Sequence, residues 1–476
     1  MSVLSKLVLA VSAAGSAVAT FPNITHYPPL NTNWNNLTFA INGTGAPGIY
    51  NSSVTPDDIY STAYNWCAMP HVRAKEYQNV DSSYKLEYVE LIHRHHKRTP
   101  YASNIFPNGA EDILWSCDGE GPATYGKNAT GPGSEVIPIQ WSAFTSPSNP
   151  FTTIQGFNGS NCQFPQISAE GIADSWTHGF DLASVYKEKL GFLPKELDPN
   201  RMHYRVTNNV ITSQVAGGLI KAMYPDLSGY QVLIQSSSFD SLEPAFSCPA
   251  ASAVNSGYQA AGTLWAQHLQ LAAPVYDKLD AVSGIPRNDT GGWHVSFDHY
   301  YDNLSAKQCH GFPLPCNVNN SNVCVDQELA NTVYRLGNWE YAYNFRLAQN
   351  STLYSATHYG AWILEIKAHL EGKVAGTNQD IYRHNIAHDG SVAPLMGALQ
   401  VANMYWPGMG TEVVFELYSK SGSFFVRVLL GGQIMQTTTP MGALDLIPYE
   451  SFHAYLESIV GTNGSELYKW CNGLTH

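Results

Sequence analysis

A short apolar segment that runs directly into a cluster of cationic and imidazole side chains constrains this chain more than any other feature. Residues 86–92 (LEYVELI) have the composition of a buried strand, and residues 93–98 (HRHHKR) hold three histidines, two arginines and one lysine. Open α/β sheets bind ligands at the carboxyl ends of their strands. The sequence therefore predicts a sheet with a ligand-binding edge at residues 93–98.

Three other interpretations of residues 93–98 stay open at this point. The run could be a solvated basic face, which leaves the preceding strand unexplained. It could be a processing site, because secreted precursors are often cut at a dibasic pair such as Lys97-Arg98. It could also be a metal site in which His93 and His95 share one side of the strand and a further ligand completes the coordination.

The rest of the chain carries little charge. Charged residues make up 13% of the 476 residues, and the formal net charge is −13. Such a chain repels nucleic acids and anionic substrates at long range. The composition therefore predicts no nucleic-acid partner, and any anion must be bound by a local group of cations.

The first residues are typical of a secretory signal peptide at 1–19. Lys6 precedes an apolar run at 7–17, and Ala17-Val18-Ala19 is an A-x-A cleavage site. The apolar run is too short to span a bilayer, and no later stretch is long and apolar enough. We expect a secreted, extracellular protein with no membrane span.

Cysteines and glycosylation sequons agree with secretion. The eight cysteines include no C-x-x-C pair, which favours four disulfides over a zinc site, although their connectivity cannot be deduced from the sequence. N-linked glycans are expected as partners of a chain with this density of N-x-S/T sequons. The sequons lie at Asn23, Asn36, Asn42, Asn51, Asn128, Asn158, Asn288, Asn303, Asn319, Asn350 and Asn463.

Apolar spacing places strands early and late in the chain and helices in the middle. It predicts strands at 202–207, 230–234, 412–418 and 424–430, and helices at 168–190, 213–224, 353–370 and 449–459. The simplest layout is an extended arm at 20–85, an α/β domain formed by 86–248 and 371–476, and a helical domain inserted at 249–370.

The pattern Arg-His-x-x-Arg at 94–98 suits phosphoryl transfer. Two guanidiniums bind a tetrahedral dianion in fork geometry, and the imidazole between them then faces phosphorus as a nucleophile. A phosphohistidine intermediate divides one difficult displacement into two easier ones. A further acid must protonate the leaving oxygen.

At these residues the chain resembles a known family. Residues 94–100 (RHHKRTP) are similar to the RHGxRxP signature of the histidine acid phosphatases, which include phytases, and His388-Asp389 is similar to the family's second signature. Residues 167–186, 204–207 (YRVT), 240–242 with Cys248-Pro249, 414–418 (VFELY) and 426–430 (VRVLL) resemble further landmarks in the right order. The resemblance covers about residues 86–460 and is to secreted, fungal-type members.

The resemblance implies a phosphoglycerate-mutase-like α/β domain with an inserted, mainly helical smaller domain. It implies that His95 is the nucleophile and that Asp389 protonates the leaving group and then activates water. The phosphoryl oxygens are expected to be bound by Arg94, Arg98, Arg205 and His388. No metal or organic cofactor is implied.

Two departures from the family pattern matter. His96 stands where the family has glycine, which permits close backbone approach, so we expect His96 to crowd the phosphate pocket or to add a donor to it. A second arginine that usually follows the YRVT segment is missing near Asn208 and Asn209. Two structural alternatives also stay open: Asp389 as a helix N-cap, and Arg205 in a structural ion pair.

The leading hypothesis is a secreted acid phosphatase that hydrolyses small phosphate monoesters, with phytase-like specificity for inositol phosphates left open. The alternative is a catalytically impaired relative that binds an anion or a glycan. A third hypothesis is a glycosidase with paired carboxylates, since 11 Trp and 28 Tyr suit sugar stacking, although aromatic residues more often serve packing.

Overall fold

A mixed β-sheet forms the centre of the protein and determines where both signature motifs lie. The structure is a computed structural model, which describes residues 23–46, 48–49, 64–110, 115–117, 148 and 162–473. Its strands are β1 (Lys85–Arg94), β2 (Gly109–Ala110), β3 (Met202–Val206), β4 (Cys316–Asn317), β5 (Asn320–Cys324), β6 (Tyr382–Ala387), β7 (Glu412–Lys420), β8 (Ser423–Leu430), β9 (Gln433–Ile434) and β10 (Ile447–Pro448).

Strand β1 lies in the middle of this sheet. The strand order is β10-β8-β7-β1-β6-β3, with β9 added to β8. Strand β6 runs parallel to β1 and β3, whereas β7 is antiparallel to β1. The register places Arg94, the last residue of β1, beside Ala387, the last residue of β6. The two motifs that follow these strands therefore emerge at the same edge.

Helices cover both faces of the sheet, and the connection from β3 to β6 is mainly helical. Short 3₁₀ turns at Asn33–Asn35 and Ala102–Asn104 and π-helical turns at Ser184–Lys189 and Tyr343–Leu347 accompany them. The helices are α1 (Leu37–Asn42), α2 (Ala169–Ala183), α3 (Val210–Met223), α4 (Pro249–Tyr258), α5 (Leu264–Leu271), α6 (Ala273–Ser283), α7 (Asp298–Cys309), α8 (Gln327–Ala342), α9 (Ser351–His358), α10 (Gly360–Val374), α11 (Asp389–Ala398), α12 (Tyr449–Val460) and α13 (Gly464–Asn472).

Alternation along β1 divides the core into two layers. Tyr88 and Ile92 pack with α10, α11 and α12 on one face, whereas Val89 and Leu91 pack with α2 and α3 on the other. Successive side chains of a strand point to opposite faces. His93 therefore lies on the face of α2, and Arg94 lies on the face of α11.

The predicted α/β fold class is confirmed. A third apolar cluster joins helices α5 to α8 to the segment before β1, through buried residues such as Trp66 and Trp339. The small sheet β2-β4-β5 contacts helix α6 of this cluster. The proposed domain boundaries at 85, 248 and 370 stay a prediction.

Two of the predicted elements differ from the structure. Residues 230–234 form no strand; Leu233 only bridges to Arg205 at the sheet edge, so this segment lacks the continuous pairing that a strand requires. Residues 353–370 are two helices, because α9 ends at His358 and α10 begins at Gly360. Strand β1, the hairpin β7-β8 and helix α12 confirm the corresponding predictions.

All eight cysteines form disulfides, which confirms the prediction of four pairs. The pairs are Cys67–Cys309, Cys117–Cys162, Cys248–Cys471 and Cys316–Cys324. Disulfides persist in oxidising compartments. Within the described ranges, no helix combines the length and the apolar character that crossing a bilayer requires. The predicted signal peptide lies outside the described residues.

One sequon is unsuited to glycosylation. Asn303 is completely buried on α7, and its side-chain amide donates a hydrogen bond to the carbonyl oxygen of Asn104 at 2.9 Å. This asparagine serves packing, which corrects its place among the expected acceptors. The sequons at Asn51, Asn128 and Asn158 lie outside the described residues. The remaining sequon asparagines are exposed: Asn23, Asn36, Asn42, Asn288, Asn319, Asn350 and Asn463.

Candidate active site

The segment after β1 is held between the ends of two neighbouring strands. The His95 N–H donates to the carbonyl oxygen of Ala387 at 2.9 Å, and the Gly410 N–H donates to the carbonyl oxygen of His95 at 3.1 Å. Ala387 is followed directly by His388 and Asp389, which begin α11. Residues almost 300 positions apart in the sequence therefore meet at the carboxyl end of β1.

His95 lies on a cavity of about 310 Å³ and has one ring nitrogen available for chemistry. Its Nδ1 is 2.9 Å from the carbonyl oxygen of His96, and because a carbonyl only accepts, Nδ1 carries the proton. The lone pair is therefore on Nε2. Burial and the charges of Arg94 and Arg98 hold the pKa of His95 well below its usual value. A neutral imidazole with a free Nε2 is the form that a nucleophile requires.

The two arginines of the motif differ in exposure to the cavity. Arg98 lines it, while its Nη1 donates to Asp302 at 2.9 Å and its guanidinium lies over the Tyr101 ring at 4.4 Å. Burial opposes the charge on Arg98, but Asp302 and Tyr101 outweigh it and raise the pKa. Arg94 is buried and is not among the residues that line the cavity; its guanidinium lies 4.6 Å from the Trp66 ring. Of these two guanidiniums, that of Arg98 is the one that lines the cavity.

Asp389 is the first residue of α11 and is held by several donors. Its Oδ2 accepts from the Trp406 indole N–H at 2.6 Å and from the Tyr341 hydroxyl at 3.2 Å, and it lies 3.3 Å from Arg94 Nη2. Burial raises the pKa of this carboxyl, but Arg94 and the Trp406 N–H lower it by more, so the net pKa lies below its usual value. The N-cap of the helix is His388, which corrects the N-cap interpretation of Asp389.

His388 faces His95 across the cavity. The two ring centroids are 5.4 Å apart, and His388 Nε2 is hydrogen-bonded to the Thr207 hydroxyl at 2.9 Å. Burial lowers the pKa of His388 to about 4, with Asp389 opposing and Arg94 adding to the shift. Thr207 is the residue of the 204–207 segment that reaches the predicted site.

Arg205 is not brought to the cavity, which corrects its assignment as a phosphate ligand. Its Nη1 is 2.6 Å from Glu365 Oε2, and its Nη2 is 2.8 Å from Asp240 Oδ1. The register pairs Arg205 with Asn385, two residues before the end of β6, so its side chain lies below the edge at which the motifs meet. The alternative of a structural ion pair describes this residue.

His96 does not occupy the cavity either. Its side chain is buried on the face of α2, where Nε2 lies 3.1 Å from His178 Nδ1. Gly410, with φ of +76°, packs against the ring, and a Cβ there would lie 2.7 Å from His96 Cε1. The expectation that His96 crowds the phosphate pocket or adds a donor to it is therefore wrong. His93 also lies on the α2 face, apart from His95, which corrects the metal site with those two ligands.

Several cavity residues carried no signal in the sequence. Tyr101, Glu243, Pro244 and His358 line the cavity beside His95 and Asp389. They belong to loops and to the end of α9, which are distant in sequence and have no motif spacing. Glu243 directly follows residues 240–242, which resemble a family landmark. Its pKa is raised, first by burial and then by the charge of Asp240.

Comparisons with known proteins find distant relatives, two of which are named as phosphatases. No family model matches the chain. Counting factor 60 of Dictyostelium discoideum is 24% identical over 396 residues, which cover 79% of this chain and 87% of that protein. The 2-phosphoxylose phosphatase 1 of Homo sapiens is 19% identical over 432 residues, or 90% of this chain and 87% of that protein. Its Xenopus tropicalis counterpart is 22% identical over 281 residues, covering 57% of this chain and about half, 53%, of that protein.

A solved structure shows the same architecture. The phytase of Klebsiella sp ASR1 superposes with a TM-score of 0.51 at 15% identity, and the match covers 83% of this chain and 98% of the phytase. At this level of identity the likeness concerns the fold. The chain therefore has a phytase-like α/β fold.

Proposed function

We propose that the protein is a secreted histidine acid phosphatase that hydrolyses phosphate monoesters through a phosphohistidine intermediate. The observation that carries the proposal is His95, whose free Nε2 shares one cavity with Arg98, His388 and Asp389. The relatives named 2-phosphoxylose phosphatase 1 and the phytase fold support the reaction class. The four disulfides support an oxidising compartment.

The residues divide the reaction into two displacements. Nε2 of His95 attacks phosphorus, the bond from phosphorus to the ester oxygen breaks, and Asp389 gives its proton to the leaving alkoxide. Water then attacks the phosphohistidine, Asp389 takes a proton from it, the N–P bond breaks and inorganic phosphate leaves. Arg98 and His388 stabilise the transferring group by charge and hydrogen bonding, which is the main contribution in such reactions.

The substrate class follows from the charge of the cavity. Arg98 is the one Arg or Lys among the described residues that line the cavity, and Glu243 adds an acidic group. A substrate with many phosphates requires several cations around the scissile group. We therefore propose a monophosphate ester, such as a sugar phosphate, rather than inositol hexakisphosphate.

The test is phosphate release from p-nitrophenyl phosphate in mildly acidic buffer. His95→Ala removes the nucleophile, so kcat/KM should fall by at least about 10³-fold. His453→Ala, a substitution on helix α12, is the matched control and should retain full activity. Acid quench during turnover, followed by mass spectrometry, should place the phosphoryl group on residue 95.

The absence of Arg205 from the cavity favours one second candidate, a relative that binds anions without turnover. That candidate predicts that phosphate raises the melting temperature while the wild type and His95→Ala release phosphate equally slowly. This equality, or a phosphoryl adduct on another residue, would contradict the proposed function.

A further inference from the structure

A buried group of imidazoles lies directly behind the candidate active site. We propose that His93, His96 and His178 form a binding site for a divalent transition-metal ion, with Zn²⁺ as the reference ion. One potential ligand atom from each residue lies within 4.8 Å of the other two. All three residues are at most 3% exposed. Imidazole nitrogens are common ligands of zinc, copper and nickel.

The hydrogen bonds of two of these histidines direct a lone pair toward the third. His93 Nδ1 donates to the carbonyl oxygen of Arg94 at 2.8 Å, so its lone pair is on Nε2, which is buried and has no hydrogen-bond partner among the described residues. His178 Nε2 lies 2.9 Å from Glu412 Oε2. A carboxylate that accepts from one ring nitrogen leaves the other, here Nδ1, to bind a metal.

His96 completes the set because its ring turns away from the cavity. Its Nε2 is 3.1 Å from His178 Nδ1, a separation that two ligands of one tetrahedral ion can adopt. Gly410 makes the space for this ring. The departure from the family signature at His96 thus supplies a metal ligand rather than a phosphate ligand.

Without a metal ion, one lone pair in this group has no partner. A hydrogen bond from His96 Nε2 to His178 Nδ1 still leaves His93 Nε2 buried with no partner among the described residues. A buried polar atom without a partner costs about 1–3 kcal/mol. An ion bound by His93 Nε2 gives that lone pair a partner.

The ion would join three parts of the fold behind the predicted nucleophile. His93 is the last residue but one of strand β1, His178 lies on α2, and His96 belongs to the loop whose carbonyl group fixes the ring of His95. We therefore assign the ion a structural role: it fixes the peptide group that orients His95, and it takes no direct part in the phosphoryl transfer.

The experiment uses the full-length purified protein, dialysed against a chelator and then titrated with Zn²⁺ alone. We expect one zinc ion per chain by elemental mass spectrometry and a higher melting temperature. His96→Gly and His178→Gln should each lose the bound zinc and the temperature shift. None of these measurements depends on phosphatase activity, so they also hold if the proposed function is wrong.

A second group of side chains with metal-ligand spacing supplies the control. Glu371, His453 and Glu457 lie on the surface, where Lys367 pairs with both carboxylates. His453→Ala should therefore leave the zinc content unchanged. If the wild type binds no zinc, or if only His453→Ala removes it, the proposal is wrong.

X-ray absorption of the zinc-loaded wild type keeps the test decisive if the two cluster variants do not fold. Three imidazole nitrogens at about 2.0–2.1 Å from zinc are expected. A coordination shell made of oxygen atoms would overturn the assignment.

Discussion

Substitution of Trp406 can change the pKa of Asp389 in the candidate active site without replacing a residue that is proposed to react. The indole N–H of Trp406 donates to Asp389 Oδ2 at 2.6 Å and contributes to the low pKa of that carboxyl. Trp406→Phe keeps an aromatic ring between Tyr301 and Tyr341 but removes the donor. The ionised form of Asp389 then loses one hydrogen bond, and its pKa must rise.

The size of the shift follows from the strength of that bond. A hydrogen bond to a charged group contributes about 1.5–3 kcal/mol, and one pKa unit corresponds to about 1.36 kcal/mol. The pKa of Asp389 should therefore rise by about 1–2 units. The bonds from Tyr341 and Arg94 remain, so the lower half of this range is expected.

The assay is the pH dependence of kcat/KM, which reports the groups of the free enzyme. If Asp389 must be protonated to serve as the acid, the alkaline limb of the profile moves to higher pH by the same amount. Trp339→Phe, another buried tryptophan, which stacks on Tyr343 at 5.0 Å, is the matched control and should leave the limb in place. A folded Trp406→Phe variant with an unmoved limb would refute the role of Asp389 as the acid.

Two further predictions concern stability. Arg205→Met leaves Asp240, which is 1% exposed, without its ion-pair partner. The free energy of unfolding, measured with denaturant, should therefore fall by about 3 kcal/mol, while kcat/KM changes by less than about threefold. A large fall in kcat/KM with unchanged stability would instead show that Arg205 binds phosphate. Burial lowers the pKa of His358 to about 4 in the folded protein, whereas its pKa in the unfolded chain is about 6.5. Between these two pH values the unfolded chain binds more protons than the folded protein, so stability falls as the pH decreases through this window. In His358→Phe, the decrease in the free energy of unfolding between the two ends of this window, measured by urea unfolding, should be smaller by on the order of 3 kcal/mol. An unchanged pH dependence would contradict the burial argument.

Local signals in the sequence were sufficient for the parts of the site that follow directly from a strand. Residues 86–92 carry the apolar pattern of a central strand, and the His95 loop and the His388-Asp389 pair each follow such a segment. Their proximity results from parallel pairing of β1 with β6. Motif order and strand pattern together were therefore informative about the fold and about which motifs meet.

The errors arose where long-range register decides the outcome. Arg205 lies on the predicted strand β3, but its level relative to β6 depends on pairing that no local pattern contains. The direction of the His96 ring depends on Gly410, a residue more than 300 positions away. Cavity residues such as Tyr101 and Glu243 come from irregular segments, so their identity as neighbours of His95 could not be deduced from spacing.

The central place of β1 has a consequence for biosynthesis. Both neighbours of this strand, at residues 382–387 and 412–420, leave the ribosome long after it does. Until then a highly apolar segment lacks the backbone partners that will enclose it, which makes it a target for chaperones during synthesis. A nascent chain interrupted before residue 382 has His95 without His388 and Asp389, so the candidate site can assemble only when synthesis is nearly finished.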